Sequence, residues 1–165
     1  MYLLDANTYI AAHNTYYAPD FCPAYWDWLD NQFSQGHVFS VNMVYQELAG
    51  KNDALSKWVK ARKKHFLPEN DDATQEHFKR IMEYVYALPH KNPANVASFA
   101  EGADPWLLAK ALTVGATVVT QERLAPGNSF KIKIPNVCQH YTIDYIDSFQ
   151  LLKNLRARFI IDSRS

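Results

Sequence analysis

Residues 2–10 read YLLDANTYI, a short apolar run that ends at Asp5 and continues into polar side chains. Three successive apolar residues of this kind predict a short buried strand. Asn7 and Thr8 are residue types that cap helices, so we expect a short helix to follow. This pattern predicts that Asp5 lies at the carboxyl end of a buried strand.

The rest of the chain alternates between helical and strand patterns. Helices are expected near residues 23–35, 42–50, 55–64, 78–85, 104–114 and 149–155. Further strands are expected at residues 37–41, 117–120 and 158–161, with a loop over 121–135. Such alternation is typical of βαβ units, and it predicts a single domain over 1–165 with a three-layer α/β/α fold. The short parallel sheet would be flanked by helices, with the functional crevice beyond the carboxyl ends of its strands.

Composition limits the class of protein. Seventeen basic residues balance seventeen acidic ones, whereas dedicated duplex-binding proteins usually carry a strong basic excess. The charge is nevertheless patterned, because Lys57, Lys60 and Lys64 recur at helical spacing. Two interpretations of this lysine stripe remain open: a solvated helix face, or a strip that follows an RNA backbone.

The sequence indicates neither a targeting segment nor a disulfide framework. The first residues contain no basic region followed by a long apolar run, and no segment reaches transmembrane length. Cys22 and Cys138 are too few for a disulfide framework and lack metal-ligand spacing, so we expect free thiols in a reducing compartment. These features predict a cytoplasmic protein without a membrane partner.

Four acidic residues stand at positions that suit a functional site, although each also has a structural explanation. Asp5 follows a strand, Asp104 precedes Pro105 at a helix start, and Glu122 follows a strand. An aspartate at such places often caps a helix or a turn. Glu47 stands one residue before Leu48 and three after Val44, so we expect it on the inward-leaning side of its helix. Burial there requires a partner charge or a metal.

Taken together, the four acids resemble the near-invariant acidic quartet of the PIN-domain ribonucleases. The corresponding segments are LLDAN at residues 3–7, VYQEL at 44–48, ADPWLLA at 103–109 and TQE at 120–122. The resemblance is closest to a bacterial PIN-like subfamily catalogued only as a domain of unknown function, which has a run similar to KIPNVC at 133–138. The chain departs from the family at Glu122, where aspartate is usual.

This resemblance implies a metal-dependent endoribonuclease with a PIN-like fold. Asp5 and Asp104 would bind Mg²⁺ or Mn²⁺ directly, Glu47 directly or through water, and Glu122 would be the fourth catalytic acid. Oxygen ligands of this kind suit hard divalent cations. Asn7 and Thr120 would hold water or a phosphate oxygen. The commonest bacterial role of the family further implies a toxin neutralised by an antitoxin protein, with RNA as substrate and a homodimer as the usual assembly.

Two alternatives differ in kind. A phosphatase of the haloacid-dehalogenase type also begins with an aspartate after the first strand, but it requires Asp-x-Asp-x-Thr, and Asn7 and Tyr9 replace the second and third of those residues. A PIN-like module that binds proteins without catalysis suits the absence of net positive charge. A zinc hydrolase is disfavoured, because the six histidines include no helical His-x3-His pair.

Overall fold

A computed structural model describes residues 1–89 and 91–160 of the chain. The strands are β1 (Tyr2–Leu4), β2 (Val38–Val41), β3 (Phe66–Leu67), β4 (Thr117–Val119) and β5 (Tyr145–Ile146). The α-helices are α1 (Ala6–Ala11), α2 (Pro23–Ser34), α3 (Asn42–Ala49), α4 (Ala54–Lys60), α5 (Asp72–Ala87), α6 (Pro93–Glu101), α7 (Asp104–Val114), α8 (Ile134–Tyr141) and α9 (Ser148–Asn154). A π-helix over Ala12–Tyr16 extends α1, and a 3₁₀ turn over Lys63–His65 precedes β3.

The strands form one parallel sheet in the order β3-β2-β1-β4-β5. β1 lies at its centre, with Leu3 paired to Phe39 of β2 and to Val118 of β4. Because neighbouring strands run parallel, their carboxyl ends meet at one edge of the sheet. After β1 the chain adds β2 and β3 on one side of that strand and then β4 and β5 on the other. The end of β1 therefore lies at the topological switch point, where ligands bind in open α/β sheets. The expected α/β fold with a short parallel sheet flanked by helices is confirmed.

The core explains why these segments form strands and helices. The strand residues Leu3, Leu4, Val118 and Val119 are fully buried, as expected for a parallel sheet covered on both faces. Helix α7 is buried over most of its length, and Lys110 is among its buried residues. The Lys110 ammonium is neutralised by Asp71, 2.5 Å away at the start of α5. This ion pair joins α5 to α7, the helix that carries Asp104.

Several elements differ from the sequence-based expectation. β3, β5, α6 and α8 were not predicted, because each is short or lacks a clear apolar period. The predicted strand at 158–161 is wrong for residues 158–160, which form no strand, and Ile161 lies outside the described residues. Phe159 instead packs against an aromatic cluster of Tyr17, Tyr25 and Trp28, with ring centroids 6.1 to 6.3 Å apart.

The start of α3 is bonded by a side chain from another part of the chain. Asn42 is a residue type that commonly caps helices, but here it is the first helical residue, and the cap position belongs to Val41. The Met43 amide donates instead to the Glu69 carboxylate, at 2.6 Å. Glu69 follows β3, so a side chain from a neighbouring strand end satisfies this helix start. Burial raises the Glu69 pKa, and the bond from Met43 partly opposes that rise.

Candidate active site

Asp5 occupies the predicted position at the end of β1 and is almost completely buried. One carboxylate oxygen accepts a hydrogen bond from the Thr8 amide at 2.7 Å, so Asp5 caps α1. The other oxygen accepts from the Thr120 hydroxyl at 2.6 Å. The structural explanation of Asp5 as a helix cap therefore holds, and Asp5, rather than Asn7 or Thr8, provides the cap. Burial nevertheless raises the Asp5 pKa, although the bonds from Thr120 and Thr8 work against the rise.

Two threonines tie the ends of β1 and β4 together. The Thr8 hydroxyl donates to the Val119 carbonyl at 3.2 Å, across the sheet edge. The Thr120 hydroxyl, besides donating to Asp5, accepts from the Glu122 amide at 3.0 Å. A continuous hydrogen-bonded path therefore runs from Asp5 through Thr120 to the Glu122 backbone. Thr120, predicted to hold water or a phosphate oxygen, donates its hydroxyl to Asp5 in this structure.

Asp104 is not the cap of α7, which removes its main structural explanation. The helix begins at Asp104, the cap position belongs to Ala103, and no side-chain capping bond forms there among the described residues. Burial is the main cause that raises the Asp104 pKa to about 7, and the negative charges of Asp5, Glu122 and Glu47 contribute to the same rise in that order. Lys133 opposes this rise. A carboxylate that is desolvated and surrounded by like charges is a candidate for function.

Glu47 lies in α3, but its predicted burial is wrong. The side chain is exposed, because Val44 and Leu48 occupy the buried face of the helix and Glu47 falls at the margin of that face. Its charge still reaches the site, since it contributes to the raised pKa of Asp104. Glu47 therefore lies on the same side of the molecule as Asp104.

Glu122, at the end of β4, is held by two partners. One carboxylate oxygen is 2.5 Å from the Lys133 ammonium, and the other accepts from the Ile134 amide at 2.8 Å. The amino end of α8 thus binds Glu122 as a helix N-terminus binds an anion. The longer side chain of glutamate, which marks the departure from the family pattern, spans the distance from β4 to α8.

The acids thus gather at the carboxyl edge of the sheet, where Asp5 and Glu122 stand at strand ends and Asp104 opens a helix. Within residues 1–89 and 91–160, no group of three or more His, Cys, Asp or Glu side chains is placed to hold one metal ion. The pair that best fits a hard cation is Asp5 and Asp104, because Mg²⁺ commonly uses one or two carboxylates together with waters and a substrate phosphate. The negative charge of Asp5 helps to raise the Asp104 pKa, and a cation bound beside the two carboxylates would relieve that repulsion.

The remaining predicted residues are spread more widely. Asn7 is exposed in the first turn of α1, next to Asp5 in the chain. Lys57, Lys60 and Lys64 are all exposed. Lys64 lies just before the first residue of β3, so it belongs to the amino-end edge of the sheet, opposite Asp5.

Lys133 is the residue of this site that sequence reasoning missed. It stands eleven positions after Glu122, in a segment expected to be a loop, and no periodicity links the two. One signal was available, because Pro135 at the second position of α8 is typical of a helix start. A helix beginning at Ile134 places free backbone amides, and the adjacent Lys133, where an acid can meet them.

Fold and site together define a PIN-like domain: a parallel α/β sheet with acids at its carboxyl edge. Residues 2–159 match the model of the family described as "Domain of unknown function (DUF4411)". The chain belongs to this family, which is PIN-like. The resemblance noted from the sequence is confirmed.

The fold is similar to that of a chain in a crystal structure of VapBC2 from Rickettsia felis, bound to a DNA fragment from its promoter. The match covers 88% of this chain and 97% of that chain, with 11% identity and a TM-score of 0.50. At this identity the likeness concerns the fold. A comparison with curated proteins found no significant match. In the part of the chain that the structure describes, the helices are too short or too polar to cross a lipid bilayer.

Proposed function

We propose that this protein is an endoribonuclease that cuts RNA phosphodiester bonds with Mg²⁺ or Mn²⁺ held by Asp5 and Asp104. The observation that carries the proposal is the state of Asp104, a desolvated carboxylate without a capping role, whose pKa is raised to about 7 beside three other acids. Such an arrangement costs stability unless a cation or a proton neutralises it. The PIN-like family supports the same conclusion.

A bound divalent cation would lower the pKa of the attacking water and stabilise negative charge on the leaving oxygen. The side chains of the site would orient the ligand, the water and the substrate. Thr8 and Thr120 fix both oxygens of Asp5, so this ligand is oriented before substrate arrives. Glu47, exposed at the margin of the buried face of α3, would orient the attacking water. The Lys133 ammonium would exchange its partner, Glu122, for a phosphate oxygen of the RNA.

Cleavage of single-stranded RNA by the purified protein tests the proposal. We expect cleavage with Mg²⁺ or Mn²⁺, its loss with EDTA, and its loss in the Asp5→Asn variant. Asparagine still caps a helix, so α1 should remain folded in that variant. Asp144→Asn is the control, because Asp144 is exposed and stands just before β5, at the opposite edge of the same sheet. If Asp5→Asn cut RNA as fast as Asp144→Asn, the proposed mechanism would be wrong.

We further propose that the protein acts in the cytoplasm as the toxin of a toxin–antitoxin pair, neutralised by an antitoxin protein and assembled as a homodimer. The likeness to a chain of VapBC2, a toxin–antitoxin complex, supports this role. Expression of the parent protein alone should stop growth, and Asp5→Asn should relieve that arrest. A gene product that restores growth on co-expression would be the antitoxin. Unimpaired growth with full expression of the parent protein would contradict the toxin role.

A second candidate is a PIN-like module that binds proteins without catalysis. One observation favours it: Glu122 is already satisfied by Lys133 and the Ile134 amide, so the fourth acid has partners other than a metal. The cleavage assay separates the two functions, because a binding module would leave RNA intact under every metal condition. The family match gives no support to the phosphatase alternative.

A further inference from the structure

A cavity of about 610 Å³ opens beside the acids, between the ends of β4 and β5. We name it the β4–β5 pocket. Its walls are formed by Tyr16, by residues 120–124 and 145–147, and by Phe149 and Gln150 at the start of α9. Thr120 and Glu122 belong to both the pocket and the acidic site. Thr120, in the pocket wall, donates to the Asp5 carboxylate, so one hydrogen bond connects the pocket to Asp5.

Two aromatic rings form one side of the β4–β5 pocket. Tyr16 and Phe149 pack edge to face, with centroids 5.4 Å apart and planes at 74°. Both remain largely exposed, at 45% and 43%. Large rings that keep this much surface in water lose stabilisation that burial would provide, so a flat ligand that covers them gains apolar contact. The rings come from separate elements, the π-helix and α9, and meet only at this pocket.

The other walls combine the apolar residues Leu124, Tyr145 and Ile146 with polar side chains that can donate or accept hydrogen bonds. The Gln121 amide nitrogen donates to the Ser148 hydroxyl at 2.5 Å, which fixes the orientation of this side chain. Arg123 is exposed, and Gln150 offers a second amide. A nucleobase presents a flat π surface and an edge with both donors and acceptors, so it matches aromatic walls combined with amides and a guanidinium. The cavity volume lies within the range of small-molecule sites.

We infer that the β4–β5 pocket binds an unpaired base of the RNA strand, next to the phosphodiester bond to be cut. This inference rests on the proposed ribonuclease function. We expect the base to come from a single strand, because an unpaired base reaches the rings without the cost of unpairing and unstacking. With the base on Phe149 or Tyr16, its phosphate lies toward Thr120 and the acids. The pocket thus determines which bond of the strand reaches Asp5 and Asp104.

Binding of labelled single-stranded RNA in EDTA tests this inference without any cleavage. The probes are one oligonucleotide and a set of copies in which a single nucleotide is abasic. For the parent protein, we expect one abasic position to weaken binding about tenfold, within the range for stacking one base. For Phe149→Leu and Tyr16→Leu, intact RNA should bind about tenfold more weakly, and the sensitivity to that abasic position should disappear.

Tyr86→Leu is the matched control, because Tyr86 is 67% exposed on α5 and does not line the pocket. It should bind RNA like the parent, and melting temperatures should show that all three variants are folded. The inference is overturned if Phe149→Leu binds every probe like the parent, or weakens all probes equally. The first of these outcomes would point to a peptide of a partner protein as occupant.

The two proposals fail separately. If the protein binds RNA with the expected abasic dependence yet never cuts it, the base-binding inference stands and the proposed ribonuclease function is wrong. If the protein cuts RNA with metal but binds every abasic probe like intact RNA, the ribonuclease function stands and the base-binding inference is wrong. A protein that does neither loses both.

Discussion

At the scale of single residues, Thr120 has the most exacting role, because one hydroxyl serves two neighbours. It donates to Asp5 and accepts from the Glu122 amide, and it is buried. Thr120→Val removes both bonds while keeping the shape of the side chain. A buried carboxylate that loses a hydrogen-bond donor is left partly unsatisfied, which lowers the stability of the fold by about 1–3 kcal/mol.

We therefore expect Thr120→Val to lower the free energy of unfolding by that amount in urea denaturation, and to raise the Asp5 pKa further. Thr117→Val is the control, since Thr117 is the first residue of β4, the strand that Thr120 directly follows, and is only partly buried. Equal free energies of unfolding for the two variants would show that the Thr120 hydroxyl does not support Asp5.

The Asp104 carboxyl predicts a specific dependence of stability on pH. Its folded-state pKa is about 7, above the unfolded value of roughly 3.9. The folded protein therefore binds this proton more tightly, and the associated stability is present at low pH and lost as pH rises through about 7. Asp104→Asn removes this loss, and asparagine costs no cap because Ala103 holds that position.

Thermal melts in EDTA should show a small difference between Asp104→Asn and the parent at pH 4, which is close to the unfolded pKa of aspartate. At pH 8 the variant should melt several degrees higher, since each kcal/mol shifts a chain of this size by about 2–4 °C. A variant that melts below the parent at both pH values would mean that Asp104 stabilises the metal-free fold.

The residues of the site were predictable to the extent that local sequence fixes their position. Asp5 after an apolar run and Asp104 before a proline are local patterns, and both lie where expected. The exposure of Glu47 depends on how α3 rotates against its neighbours, which its short apolar stripe does not specify. The Glu122–Lys133 pair joins two elements through a loop without periodicity, so only the folded chain brings it together.

At the scale of elements, the central strands were predictable and the edges of the sheet were not. The last two residues of β1 and of β4 are apolar and fully buried, whereas β3 and β5 have two residues each and depend on pairing to a neighbour. The apolar run at the end of the chain was mistaken for a strand because aromatic packing and sheet pairing favour the same residue types.

Hydrogen exchange distinguishes aromatic packing from strand pairing at residues 158–160. These amides should exchange within the time of unprotected loops, because Phe159 is held by ring contacts and not by strand hydrogen bonds. The Val118 amide, which donates to the Asp144 carbonyl at 2.8 Å, is the protected reference. If the amides of residues 158–160 were protected as strongly as that of Val118, these residues would form a strand after all.

At the scale of the whole molecule, a net charge of zero hides an uneven distribution. The acids converge at the carboxyl edge of the sheet, while Lys64 lies at the opposite edge. The acids repel nearby phosphates when no cation is bound, so we expect bound metal to strengthen RNA binding. The neutral composition is therefore compatible with a nuclease whose positive charge at the site comes from its metal.

The central claim is that Asp5 and Asp104 together bind a divalent cation. The most direct test is the shift in melting temperature caused by Mn²⁺ at pH 8, in the parent and in Asp104→Asn. A ligand at a hundredfold excess over its Kd stabilises the native state by about 2.7 kcal/mol, so the parent should melt roughly 5–10 °C higher. Asp104→Asn should show little or no shift. Equal shifts in the two proteins, or none in the parent, would contradict the claim.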